Sequence, residues 1–351
     1  MKPKKLFALV LATLLMVSAL SAYGTQTFAS DNEPTATEQK PMELIYCSGM
    51  SEQSTFGACD LKFNEKLTAD TNGKITVKSY FSDSLTKTSE WRTELESKSC
   101  DLQTASNGTG LEDLKEYELS QYFFYDVMDI SKIGDAYNEL LATYPGIEAS
   151  WEAANLKPIH WSSAGQAYLH TTKPVNSLDD IKGLSIRCAD DLTVSLVTAL
   201  GGNPVRMPLM EAISALQNNV VDGVIIAVDV LKMFNICEVC PYSIALPYVQ
   251  SYAFNCVMRL DSFQNDFTPE TQAVMEECGR FWDQEYIAAY TQICEEAIVY
   301  SEEKGQTFNT LSDEENAKIL EIIDDFTKKL AEENDAMDLY NAARAAADKY
   351  N

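Results

Sequence analysis

"SLDDIKGLSIRCADDLTVSLVTALGGNPVRMPLMEAISALQNNVVDGV", residues 177–224, decides how the chain is read. Ser177-Leu-Asp-Asp180 has the form of a capping box, the short polar start of a turn. Leu184 to Cys188 reads as a buried strand. Leu192, Leu196, Ala199 and Leu200 fall on one helix face, which Gly201-Gly202 ends. "PVRMP" (204–208) predicts a second strand, Leu209 to Asn219 a second helix and "VVDGVII" (220–226) a third strand. Strands alternating with helices make a mostly parallel sheet. Ligands of such sheets bind beyond the carboxyl ends of the strands. Arg187 stands at one such end, and Asp222-Gly223 lies in the same unit.

The flanks extend the pattern. "MELIYC" (42–47) and "KITVKSYF" (74–81) read as strands, with Phe56, Cys59, Phe63 and Leu67 at helical spacing between them. A helical stretch around Trp91 and Leu95 follows, and then "CDLQTASNG" (100–108), a short strand running into a small-polar loop. A less regular region leads to "KPIHWSS" (157–163) and "AYLHTTKPV" (167–175). From Thr268 to about Gly305 the spacing predicts one long helix with Pro269 in its first turn. The C-terminal segment, acidic first and Ala-rich later, closes as helix. We therefore expect two α/β lobes, residues 42–165 and 166–250. Residues 251–351 are expected to return to the first lobe through a long bridging helix and C-terminal helices.

Residues 1–29 pair a basic start (Lys2, Lys4, Lys5) with an apolar run, Leu6 to Ala22, which predicts a secretory signal cleaved near Ala22 or Ala29. Tyr23 stands where a lipidated cysteine would be needed. Residues 30–41 read as a flexible leader. The expected location is the periplasm or cell-surface space, after export across the inner membrane. With 27 Lys and Arg against 53 Asp and Glu, the net charge is −26. Such a chain repels nucleic acid and anionic membranes, so an anion site must be local. Export permits disulfides, but nine cysteines is an odd number; buried thiols and cross-links both stay open. Cys237-Glu-Val-Cys240 reads as a local disulfide or two packed thiols, since a zinc site lacks a second ligand pair.

The segment 177–224 resembles the substrate-binding subunits of TRAP (tripartite ATP-independent periplasmic) transporters. The likeness rests on Asp180, Lys182-Gly183-Leu184, Ile186-Arg187, Leu200-Gly201, Pro204, Met207-Pro208, Glu211, Ala215-Leu216-Gln217 and Val220-Val221-Asp222-Gly223, in order. The turn 71–77 also fits, and the likeness covers about residues 42–305. It implies a two-lobed, periplasmic-binding-protein-like α/β fold, each lobe a mixed, mostly parallel sheet flanked by helices. It also implies an organic acid as ligand, membrane permease subunits as partners, and neither ATP nor a cofactor. Arg187 is then the residue that pairs with the ligand carboxylate. A planar two-donor fork suits that role, whereas the residues alone also allow a surface ion pair with Asp190 or Asp191.

Three departures shape the expected pocket. Ala167, beside Gln166, stands where relatives often carry a second arginine. Val224-Ile225-Ile226 replaces their Gln-Glu-Asn, and Cys188-Ala189 replaces Val-Pro. One anchor in an otherwise apolar pocket suits a monocarboxylate with an apolar body. Further candidates at strand ends are Tyr46, Ser106, Asn107, Trp161, Leu209, Ile226, Tyr248 and Tyr252. Each has an ordinary structural alternative: serines cap helices, and aromatics fill cores. Glu211 and Asp222 read as scaffold.

An enzyme would need a nucleophile with its base, paired acids or a metal. The sequence holds no G-x-S-x-G elbow, Walker loop, H-E-x-x-H or G-x-G-x-x-G. Cys188 beside Arg187 is the nearest thing to an activated thiol. A binding protein serving another transporter or a sensory receptor is the closer alternative. An adhesive structural protein would show repeats or Cys-framed modules, and none is seen.

Overall fold

The computed structural model describes residues 38–105, 110–111, 113–161, 165–249 and 255–350. The signal segment, most of the leader, Ser106, Asn107 and Tyr252 lie outside the described residues.

The first part of the chain runs β1 (Met42–Cys47), α1 (Thr55–Asp70), β2 (Ile75–Tyr80), α2 (Trp91–Glu96), β3 (Leu102–Ala105), α3 (Lys115–Ser120), α4 (Ile130–Thr143), α5 (Gly146–Ala153) and β4 (Leu156–Trp161). The second runs β5 (Gln166–Thr171), β6 (Ser185–Cys188), α6 (Asp191–Ala199), β7 (Asn203–Arg206), α7 (Leu209–Gln217), β8 (Gly223–Ile226), α8 (Val230–Phe234) and β9 (Tyr242–Val249). The last runs β10 (Asn255–Arg259), α9 (Leu260–Asp266), α10 (Pro269–Glu303), β11 (Thr307–Asn309), α11 (Asp313–Glu333) and α12 (Met337–Ala347).

Two sheets result. The first has the order β2-β1-β3-β10-β4 and the second β11-β9-β5-β8-β6-β7. Each is parallel except for one strand, β10 in the first and β5 in the second. This is the expected architecture: two mixed sheets flanked by helices. Two strand connections cross between the sheets, from β4 to β5 and from β9 to β10. Because β5 and β10 run against their sheets, both crossings leave and arrive at the carboxyl ends of the parallel strands. Those ends therefore border the space between the lobes.

Local chemistry accounts for the elements. Every residue of β3 is buried, as a central strand demands. Ser54 Oγ accepts from Gly57 N at the start of α1, Ser177 and Asp180 form the expected capping box, and Thr268 with Pro269 opens α10. The core divides accordingly. Leu169, Ile186, Leu196, Ile225 and Leu246 pack in the second lobe; Leu44, Phe63, Leu102, Met258 and Trp282 pack in the first. Burying each such side chain stabilises the fold by about 1.5–3 kcal/mol.

Helix α10 has 35 residues, so it spans roughly 50 Å. Its Met275, Cys278 and Trp282 belong to the first lobe's core, while Ala297 joins Leu216, Val221 and Leu231 of the second. A Cβ added at Gly279 would lie 2.0 Å from the Ile159 carbonyl oxygen, so glycine alone lets α10 press on β4.

The C-terminal hundred residues do not all return to the first lobe. β11 extends the second sheet beside β9, and Ile319 and Ile323 of α11 enter the second lobe's core. After them, Ala331 at the end of α11 and Leu339 and Ala343 of α12 pack in the first lobe's core. A three-residue strand has too little periodicity to be read beforehand. All nine cysteines are free thiols, and Cys237 and Cys240, separated by two residues, are both buried. Among the described residues, no helix is long and apolar enough to cross a membrane.

Candidate functional site

Arg187 sits on β6, between β8 and β7. Strand pairing places it beside Val224 on one side and Val205 on the other. It is 6% exposed, unusual for a cation. Its Nε donates to the Met207 carbonyl at 2.9 Å, which fixes the plane of the guanidinium. The acids that follow have their own tasks. Asp190 caps α6, accepting from Thr193 N at 2.8 Å, and Asp191 pairs with Arg206 on β7.

Around Arg187 the second lobe presents Leu209 at the start of α7 and Ile226 at the end of β8, both half-buried. Gln166 begins β5, with its Nε2 donating to Leu246 O at 2.9 Å. Ala167 is wholly buried, so no second cation issues from that strand. Burial pushes the Cys188 thiol up to about 11, which leaves it protonated and unreactive near neutral pH. Among the described residues, no cluster of three or more His, Cys, Asp or Glu converges as a metal site.

On the first lobe, Ser48, Thr104 and Tyr46 form a hydroxyl chain at the carboxyl ends of β1 and β3. Thr104 Oγ1 donates to Ser48 Oγ at 3.2 Å and lies 3.1 Å from the Tyr46 hydroxyl. Tyr46 is only 2% exposed and packs in the first lobe's core. Tyr248 is fully buried in the second lobe's core. Trp161 ends β4, where its backbone N–H donates to Asp283 Oδ1 at 3.1 Å. Its ring lies 5.1 Å from that of Tyr137 on α4, along the outer edge of β4.

Two polar clusters gave no signal in the sequence. Tyr290 of α10 accepts from Gly165 N at 3.1 Å and donates to Asp229 Oδ1 at 3.2 Å. This ties the lobe crossing, the bridging helix and the segment after β8 together. In the first lobe, Trp282 Nε1 donates to the fully buried Asp60 at 2.8 Å. His160 stacks on that indole, centroids 3.9 Å apart. The partners lie far apart in sequence; the one local hint was the pair Tyr286 and Tyr290 at i, i+4.

The sequence profile of the bacterial extracellular solute-binding proteins, family 7, matches residues 48–334. The chain belongs to that family. The TRAP likeness read from residues 177–224 is thereby borne out, and with it the two-lobed fold. A solute-binding protein of Roseobacter denitrificans is 23% identical over 265 residues, covering 74% of this chain and 78% of its own length. A TRAP periplasmic solute-binding protein from Desulfovibrio salexigens, solved in an open form with the C-terminus of a symmetry mate in its ligand site, superposes with a TM-score of 0.76. It is 20% identical and covers 88% of this chain and 96% of that one. Another from a Sulfitobacter species, with bound β-D-galacturonate, has a TM-score of 0.67 at 20% identity, covering 87% and 100%. The family is one of solute-binding proteins.

Proposed function

We propose that this solute-binding protein captures an organic acid between its lobes, with the ligand carboxylate on Arg187. The observation that carries the reading is the buried guanidinium at the carboxyl end of β6, braced by Met207 O. A desolvated carboxylate–arginine pair contributes about 1.5–3 kcal/mol net, and it is strongest where water is excluded. Closing the cleft supplies that exclusion by bending at the two crossings. The closed form then hands the acid to TRAP membrane permease subunits, with transport driven by an ion gradient. Export to the periplasm follows from the expected signal segment and the family.

The ligand class is narrowed by what surrounds the anchor. Leu209 and Ile226 are apolar and Ala167 supplies no second cation, which favours a monocarboxylate with an apolar body. The galacturonate of the Sulfitobacter relative also carries one carboxylate, but its hydroxyls need polar donors. Ser106, Asn107, Gln166 and Tyr252 remain the candidates for further contacts, whereas the Trp161 ring packs on Tyr137 away from the cleft.

The test is a thermal-shift screen of branched-chain and aromatic monocarboxylates, C4-dicarboxylates and sugar acids, repeated on Arg187→Ala. A ligand at 100 times its Kd stabilises by about 2.7 kcal/mol. Hits among apolar monocarboxylates that vanish in the variant support both parts of the reading. Sugar-acid hits that vanish keep the anchor and overturn the ligand class. Hits that survive the substitution overturn the anchor.

A further inference from the structure

A cavity lies outside the cleft, along the edge of β4. It measures about 410 Å³ and is bounded by α4, α5, α9 and α10, a size that takes a small organic molecule. One wall is a run of aromatic rings. Trp151 meets Tyr117 at 4.9 Å, Tyr117 meets Tyr137 at 6.5 Å, and Tyr137 meets Trp161 at 5.1 Å between centroids. Facing it from α10 is Asp283, half-buried, with one carboxylate oxygen occupied by the Trp161 N–H. Among the described residues, its other oxygen accepts no hydrogen bond.

The charges of the cavity are unequal. Lys157 is neutralised by Glu276 at 2.8 Å and lies over the Phe263 ring. Arg280 turns outward to Glu277 at 3.0 Å, with more than half its side chain in solvent. Glu148 and Glu152, one helical turn apart at the rim, are exposed and have no ion-pair partner among the described residues. Aromatic faces backed by carboxylates attract cations and repel anions. We propose that this cavity binds an organic ammonium ion with an apolar body, its charge against Asp283 and its body against the Tyr137–Trp161 wall. Burial holds the Asp283 carboxyl well above the ordinary carboxylate range, with Arg280 acting the other way; a seated ammonium offsets the same burial cost. The site is separate from Arg187 and opposite to it in charge preference. It borders the strand end from which the chain crosses to the second lobe.

The probes are 2-phenylethylamine, protonated at neutral pH, and its anionic counterpart 3-phenylpropionate. Binding is followed by isothermal titration and by tryptophan fluorescence. The expected result is saturable amine binding that persists in Arg187→Ala and weakens roughly ten-fold or more in Asp283→Asn. 3-Phenylpropionate should not displace the amine. Asparagine can still accept from Trp161 N–H, so the fold should hold. If Asp283→Asn does not fold, the exposed double variant Glu148→Gln with Glu152→Gln decides, with several-fold weaker binding at low salt expected. No saturable amine binding, equal affinity in wild type and the variant that is read, loss in Arg187→Ala, or displacement by 3-phenylpropionate would each overturn the proposal.

Discussion

Tyr290, at the centre of helix α10, holds Asp229 of the second lobe by its hydroxyl at 3.2 Å while accepting the backbone N–H of Gly165 at 3.1 Å. One phenol thus joins the bridging helix to the first residue described after the lobe crossing. Gly165 is itself fitted to the ring: a Cβ there would come within 2.8 Å of Tyr290 Cε1. Tyr290→Phe keeps the ring and removes both bonds. It should destabilise by about 1–3 kcal/mol, since a buried N–H and a carboxylate lose their partner. It should also change the balance of open and closed forms. The checks are the thermal midpoint and small-angle scattering with and without ligand.

Arg187→Lys keeps a positive charge but loses the planar fork and the Nε bond to Met207. We expect ligand affinity to fall by about 2 kcal/mol or more, and by roughly 2–5 kcal/mol for Arg187→Ala. Titration calorimetry with a hit from the screen measures both. Wild-type affinity in Arg187→Lys would show that charge alone suffices.

Gly279→Ala places a methyl group 2.0 Å from the Ile159 carbonyl. Backbone meets backbone there, so no side chain can move aside. A loss of about 1–3 kcal/mol or more is expected, read as a lower thermal midpoint, with a control Ala substitution at exposed Gln284 close to neutral.

Burial raises the Asp60 carboxyl from 3.8 to about 7, with hydrogen bonds from Tyr46 and Trp282 acting against it. The folded state therefore holds a proton that the unfolded state releases. Its contribution to stability is complete below about pH 3.8 and is lost as pH rises to about 7, on the order of 4 kcal/mol in all. His160 and His170 work in the opposite direction. Burial depresses both from 6.5 to about 3, so their contribution, present above about pH 6.5, is lost as pH falls toward 3. In Asp60→Asn the difference from wild type should grow in the variant's favour between pH 4 and pH 7. Chemical denaturation at several pH values measures it, and a constant difference would contradict the assignment.

The second lobe was the more legible half. Leu192, Leu196 and Leu200 mark the face of α6, and Pro269 marks the start of α10, because those signals are local. The strand-end place of Arg187 was legible from the pattern around Ile186, while its expected role came from the family resemblance. What could not be read depends on contacts across the sequence. Asp60 and Trp282 are separated by 222 positions, and the carboxylate of Asp283 gains meaning only when α10 is laid against β4. Trp161 shows the same limit: its place at a strand end was evident, but the direction of its ring was set by Tyr137 on another helix.

The close approach at Gly279 makes α10 a lever. The helix is pinned to β4 there, and Glu303, 24 residues further along, lies roughly 36 Å from the pin. A rotation of about 10° around Gly279 would therefore carry the far end through roughly 6 Å, by the same helical rise. If the lobes close on an acid as proposed, a label near Glu303 should move further than one beside Arg187.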